Sequence, residues 1–168
     1  MAYAIAVSEP GGPENFHRIE IEVPQPGPGQ VTLRQTAIGL NFIDVYFRTA
    51  LYPWSVARDL VAGSEAVGVI EAVGEGVDLR PGQRVGYVSR TGAYASHRVI
   101  EASALMPIPD AVSDEIAAAV MLKGLTVHYL LHHSYPVKAG DTVLFHAAAG
   151  GVGLLAGQWL KALDVQAI

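Results

Sequence analysis

The chain contains no cysteine, so it can carry neither a disulfide framework nor a thiolate zinc site. Charge is also scarce: 16% of residues are charged, against about 25% in an average soluble domain. Only 11 Lys+Arg stand against 16 Asp+Glu, a net charge of -5. Such a balance leaves no basic footprint for a phosphate backbone, which argues against nucleic acid as a partner. The longest uninterrupted run of apolar or small residues is Ala147 to Gly157, well short of the roughly 20 residues a spanning helix needs. The first residues, Met1 to Val7, carry no basic side chain and break at Ser8-Glu9-Pro10-Gly11-Gly12, which does not fit a secretory signal. The expectation is a soluble, cytoplasmic protein with no membrane partner.

What is present falls into two textures. Short segments rich in β-formers, separated by Pro/Gly turns, predict strands at Tyr3 to Val7, Ile19 to Val23, Val31 to Ile38, Ala66 to Val73, Arg84 to Val88 and Ala93 to Ile100. Many short strands at this spacing indicate a barrel or sandwich. Phe42, Val45 and Tyr46 have the spacing of a short helix between Asn41 and Thr49. After Pro109, Ser113-Asp114-Glu115 reads as a helix cap leading into Ile116 to Leu122, with a longer helix from about Leu122 through His132. Asp141 to His146 reads as a buried strand and Leu154 to Leu163 as a helix. The fold class is therefore mixed β followed by α/β. The expected domains are residues 1–125, a barrel or sandwich, and residues 126–168, the first βα unit of a doubly wound sheet.

Between that strand and helix lies Ala147-Ala148-Ala149-Gly150-Gly151-Val152-Gly153, the dinucleotide-binding fingerprint with Ala148 in place of its first glycine. Gly150 would let the backbone approach a pyrophosphate, Gly153 would let helix and strand pack closely, and the helix N-terminus would offer free N–H groups. The bland alternative is a tight strand-to-helix turn with no ligand. The residue that meets the adenosine ribose lies about 20 residues further on, where the sequence reaches Ile168. The expectation is a fragment, or a product that ends early, with apolar surface that missing neighbours would cover.

Several stretches then carry a resemblance. Ile38 to Arg48 with Leu51-Tyr52-Pro53, Gly63 to Gly68, Leu122 to Val127 and the Ala147 to Gly153 turn together resemble the zinc-free quinone oxidoreductase (zeta-crystallin-like) branch of the medium-chain dehydrogenase/reductase superfamily. The resemblance implies a GroES-like barrel that carries the catalytic and substrate residues, followed by a Rossmann-type NAD(P)-binding domain. It further implies NADPH as hydride donor with NADH as the alternative, a quinone or α,β-unsaturated carbonyl as acceptor, and a homodimer in the full-length form. Asn41, Tyr46 and Tyr52 would be the catalytic residues. Asn41, Tyr46, Thr126, Val127, Gly150, Gly151, Val152 and Gly153 would bind the cofactor. No metal is expected: zinc-dependent relatives place histidine where this chain has Ser64, and their other ligands are typically cysteines. An electron-poor acceptor needs no Lewis acid as an alcohol dehydrogenase does. The sequence departs from the branch at Ala62, Gln83 and Asp164. Asp164 replaces a helix-ending glycine and puts negative charge at the negative end of the dipole, an expected small cost.

Two rival readings remain beside the reductase: a non-catalytic binding or dimerising module, and an enoyl reductase module of a larger synthase. Individual residues also have bland readings. His128, His132 and His133 read as surface or interface histidines rather than metal ligands, since no carboxylate completes an HExxH pattern. His146 reads as a core residue at the end of a strand. Glu65 reads as a buried, hydrogen-bonded carboxylate, because isolated carboxyls are expensive to bury. Lys123 either faces the cleft or caps a helix end.

Overall fold

The computed structural model describes residues 1–168. The chain divides into two compact units, Met1–Ala119 and Val120–Ile168.

The first unit is built from two antiparallel sheets. Strand β1 (Tyr3–Val7) lies between β2 (Phe16–Glu20) and the two-residue β4 (Leu60–Val61). The second sheet has the order β7-β3-β5-β6-β8, with β3 spanning Gln30–Gly39, β5 Glu65–Val73, β6 Arg84–Val88, β7 His97–Glu101 and β8 Met106–Pro107. Residues 93–96 join the sheets: the Ile5 N–H donates to the Tyr94 carbonyl (2.7 Å), and the Gln35 N–H donates to the Ser96 carbonyl (2.9 Å). Closure of this kind removes most free sheet edge. Its interior is apolar, with Val31, Leu33, Ala66, Ile70, Val85 and Ile100 buried around Tyr87. The Tyr87 hydroxyl donates to Gln35 Oε1 at 2.5 Å, and burial pushes its pKa up against the opposing pull of Arg98.

Two strand expectations need correction. β2 occupies Phe16–Glu20 rather than Ile19 to Val23, because pairing with β1 sets its register, from Val7 against Phe16 to Tyr3 against Glu20. β7 begins at His97 rather than Ala93, because residues 93–96 are spent on the passage between sheets. The short helix α1 (Phe42–Arg48) stands where its spacing placed it.

Helix α2 (Asp114–Tyr129) contains the division between the units and runs without the break expected near Leu122. Ser113 caps it, accepting the Ile116 N–H at its Oγ (3.3 Å). Gly124 is tolerated inside it, and a side chain there would meet nothing. A single π-helical turn, Leu130–Ser134, follows.

In the second unit the expected buried strand is two residues long, β9 (Thr142–Val143), paired in parallel with β10 (Gln166–Ala167). Helix α3 (Gly151–Ala162) joins them. Such a two-stranded ladder covers little, so His146 is exposed rather than a core residue. The core here is Val127, Leu131, Ala156, Leu160 and Val165. No helix is long and apolar enough to cross a membrane.

Candidate functional site

In the first unit the sequence-predicted residues lie along and just after α1: Asn41 at its start, Tyr46 within it and Tyr52 past its end. Asn41 is its N-cap, with extended backbone (φ -134, ψ 152), and is 8% exposed. Its backbone N–H donates to Asp44 Oδ2 at 3.0 Å, one arm of a capping box. Its side-chain nitrogen donates to Glu65 Oε1 at 2.6 Å. Glu65 is fully buried at the start of β5, so its reading as a hydrogen-bonded buried carboxylate stands. Gly39 makes this approach possible: a Cβ there would lie 2.2 Å from the Ala118 carbonyl oxygen and 2.3 Å from Glu65 Cγ.

Asp44 is the knot that sequence reasoning missed. Besides the Asn41 N–H, it accepts the Ser64 hydroxyl at Oδ1 (2.6 Å) and the Tyr94 hydroxyl at Oδ2 (2.9 Å). Asp44 and Ser64 are both buried. Burial pushes the Tyr94 hydroxyl far above the ordinary phenol value, and the neighbouring Asp44 charge and hydrogen bond add to the shift. The phenol therefore stays protonated, a fixed donor. The Asn-x-x-Asp spacing of a capping box was the available signal for Asp44; nothing local pointed to Tyr94. Ser64, noted for standing at a zinc-ligand position, spends its hydroxyl on Asp44.

Tyr46 and Tyr52 lie in an aromatic group. The two rings are 5.5 Å apart, with Phe42 5.5 Å from Tyr46 and Phe47 5.5 Å from Tyr52, all edge to face. Phe42 and Tyr52 are 72% and 40% exposed, so the group forms an open aromatic wall rather than a closed core. A groove of about 670 Å³ elsewhere in this unit includes Tyr3, Phe16, Ile38 and Tyr94 in its lining. Two of its polar side chains are already engaged by the protein: Gln35 donates to the Ala93 and Ala95 carbonyls, and Ser96 Oγ accepts the Tyr3 N–H.

In the second unit the glycine-rich turn has the expected form. Ala147 adopts a left-handed conformation (φ 57), Gly150 N–H donates to the Ala147 carbonyl (2.8 Å), and α3 begins at Gly151 with no side-chain cap. The first-turn N–H groups of α3 thus have no side-chain acceptor, which suits them to an anion. A Cβ on Gly153 would lie 2.5–2.6 Å from the Ala147 and Ala148 backbone, so only glycine fits. A Cβ on Gly151 would come within 3.0 Å of the Lys123 stem, which places that side chain beside the turn. The two other residues expected at the cofactor lie on α2. The Thr126 hydroxyl donates to the Leu122 carbonyl (2.8 Å), and Val127 is fully buried in the core. His128, His132 and His133 are exposed, with His128 and His132 against Trp159 at ring separations of 6.0 and 5.6 Å.

Residues 27–110 match the model of the alcohol dehydrogenase GroES-like domain. The chain belongs to that family. Within it, the likeness is to the quinone oxidoreductase branch of the medium-chain dehydrogenase/reductase superfamily. A quinone oxidoreductase of Pseudomonas aeruginosa is 48% identical over 170 residues, covering all of this chain and 52% of the relative. A 2-haloacrylate reductase from a Burkholderia species is 44% identical over 174 residues, again covering all of this chain and 52% of the relative. The crystal structure of Escherichia coli quinone oxidoreductase complexed with NADPH superimposes with a TM-score of 0.94 at 43% identity, covering 98% of this chain and 51% of that one. The chain thus spans about half the length of the relatives it matches. Its order of elements, a GroES-like domain followed by a βαβ start, matches their N-terminal half.

Proposed function

We propose that this chain supplies the acceptor-binding domain (residues 1–125) and the pyrophosphate-binding start (residues 126–168) of a zinc-independent, NADPH-dependent reductase of quinones or activated α,β-unsaturated carbonyls. The observation that carries the reading is the Ala147–Gly153 turn, which leads into an α3 N-terminus without a side-chain cap and is packed so that only glycine fits at Gly153. A relative of 43% identity has been crystallised with NADPH, which supports that cofactor ahead of NADH. When bound, NADPH supplies a hydride from its nicotinamide ring.

The chain's own residues then have distinct tasks. The backbone of Gly150, Gly151, Val152 and Gly153 takes the pyrophosphate, with Lys123 beside the turn and Thr126 on the exposed side of its helix. Asn41, held by Glu65, is a rigid amide that orients the nicotinamide and acceptor, while Tyr46 and Tyr52 give a flat wall for the acceptor. The quinone gains the hydride and a proton from solvent, leaving a hydroquinone. Ser64 stands where zinc-dependent relatives place histidine, and the chain has no cysteine, so polarisation falls to hydrogen bonding rather than to zinc. The names of the quinone oxidoreductase relatives support the first acceptor class, and that of the Burkholderia relative supports the second. Cytoplasmic location and a homodimer in the full-length form go with this reading.

NADPH titration followed by calorimetry tests it. Gly150→Val, whose Cβ would crowd the Ala147 carbonyl at 3.2 Å, is expected to weaken NADPH binding at least tenfold; unchanged affinity would overturn the pyrophosphate assignment. A non-catalytic association module is the second reading, favoured by the exposure of Leu144 (68%), Leu154 (59%) and Ile168 (66%). Light scattering on the purified chain separates them: stable self-association without NADPH binding supports the module.

A further inference from the structure

Phe47, Pro53, Trp54, Ser55, Arg90 and Thr91 enclose a pocket of about 220 Å³, room for a single substituted ring rather than a cofactor. Its lining is apolar, hydroxylic or cationic, and includes no carboxylate. That is a local inversion in a chain with 16 acidic and 11 basic residues. Arg90 is exposed, and its guanidinium carbon lies 5.8 Å from the centroid of the Phe47 ring. It makes no ion pair and donates to no protein oxygen. Arg34, Arg58 and Arg84 are paired with Glu71, Asp59 and Asp114, and Arg48 and Arg98 donate to Gly11 O and Ser89 Oγ. Arg18, over the Tyr3 ring, and Arg80 also make no ion pair, but Arg90 alone of the three lines this pocket.

The base under this cation is fixed. The Ser89 N–H donates to the Ser64 carbonyl (2.8 Å), Ser89 Oγ donates to the Thr91 carbonyl (3.0 Å), and the Gly92 N–H donates to the Val61 carbonyl (2.9 Å). The aromatic side of the pocket is fixed as well, because Trp54 Nε1 donates to the Phe47 carbonyl at 2.5 Å. A guanidinium fork matches the two oxygens of a carboxylate, and flat aromatic faces match a planar ring. One cation with no second basic side chain in the lining suits a singly charged carboxylate better than a phosphate. The pocket shares Phe47 with the aromatic wall: that ring is 5.5 Å from Tyr52, which is 5.5 Å from Tyr46.

We propose that the Phe47–Trp54–Arg90 pocket is an anion-recognition subsite that selects an acceptor bearing a carboxylate on or next to its ring. The acceptor role rests on the reductase reading; binding of the carboxylate does not. Trp54 reports on the pocket directly in a Trp159→Phe background, which removes the other tryptophan. Benzoate is expected to quench Trp54 saturably, with benzyl alcohol, its neutral analogue, binding at least tenfold more weakly and Arg90→Gln reducing benzoate affinity at least tenfold. Absence of saturable benzoate binding, equal binding of benzyl alcohol, or undiminished binding by Arg90→Gln each overturns the subsite. The second arm compares a carboxylated benzoquinone with the unsubstituted one in NADPH oxidation. The kcat/KM preference for the acid is expected to fall about tenfold in Arg90→Gln, and an unchanged preference overturns the role in selection. If the parent protein binds benzoate through Arg90 but neither binds nor oxidises NADPH, the reductase reading fails and the carboxylate site stands.

Discussion

In residues 1–119 the buried set includes Asn41, Asp44, Ser64 and Glu65, tied together by side-chain hydrogen bonds of 2.6–3.0 Å. In residues 120–168 every buried side chain that forms the core is apolar, from Val127 to Val165, and the polar capacity lies in the backbone of the 147–153 turn. The first arrangement is costly. Burying a carboxylate costs several kcal/mol unless its oxygens are satisfied, and a Leu or Met of similar volume would pack at no such cost. What the polar knot contributes is placement: Asp44 fixes the start of α1, and Glu65 fixes the amide at its N-cap. The second arrangement needs no buried polar side chain, because helix N–H groups are directed by the helix itself. One unit therefore orients side chains, while the other orients backbone.

The largest expected effect comes from breaking the knot. Asp44→Ala leaves the Asn41 N–H and the Ser64 and Tyr94 hydroxyls without their acceptor and is expected to cost about 3 kcal/mol. Urea unfolding followed by Trp54 fluorescence, in the Trp159→Phe background, measures it. A loss under about 1 kcal/mol would mean the knot is replaceable by water and does not organise the first unit. Next in size is Gly153→Val, whose Cβ overlaps backbone rather than a yielding side chain. Overpacking of this kind costs about 2–3 kcal/mol, read from Trp159 in a Trp54→Phe background. A cost near zero would show that the turn can shift, and would blunt the contrast between the two units.

A smaller effect is pH-dependent. Asp114 accepts from Thr36 (2.6 Å) and from Arg84 (2.6 and 2.9 Å). The Thr36 hydrogen bond is the largest influence on its pKa; burial opposes it, and the Arg84 hydrogen bond and charge add to the lowering, so the carboxyl is held below the usual value of 3.8. A lowered folded-state pKa means the unfolded chain takes up the proton first as pH falls. The contribution is therefore complete above about the unfolded value and is lost as pH drops through the folded one. Asp114→Asn is expected to cost about 1 kcal/mol at pH 7, allowing for partial exposure of the pair, with the two proteins converging in stability under strong acid. A gap that persists at the lowest pH would assign the effect to packing rather than charge.

Much of this was legible from local signals. The α1 spacing, the Ser113 cap, the glycine turn and the need to bond a buried Glu65 each depend on residues a few positions apart. What escaped depends on distant partners. The register of β2 is set by β1, and residues 93–96 cross between sheets instead of extending β7. Gly124 and its neighbours gave no sign that α2 would run unbroken from Asp114 to Tyr129. His146 reads as core at the end of an expected buried strand, whereas β9 stops at Val143 and pairs only with β10. Val127 shows a different limit: its packing in the second core is visible, whereas its place beside a cofactor rests on family position alone. Asp44 was within reach of its capping spacing, but Ser64 and Tyr94 join it from 20 and 50 residues away.

The smallest effect tests a departure read from sequence, at the end of α3. Asp164 occupies the left-handed position (φ 57) just past the helix. The Asp164 N–H donates to the Lys161 carbonyl (3.2 Å) and the Val165 N–H to the Leu160 carbonyl (3.0 Å), the paired bonds of a Schellman ending. Glycine adopts that conformation without Cβ crowding, whereas aspartate tolerates it at some cost and places negative charge against unpaired carbonyls. Asp164→Gly is expected to stabilise the second unit by about 0.5–1 kcal/mol, read from Trp159 unfolding, and the gain should shrink as salt screens the charge component. A destabilised variant would mean the entropy added to the unfolded chain outweighs the relief. Aspartate would then be the better helix ending, and the sequence departure would be no defect of the second unit.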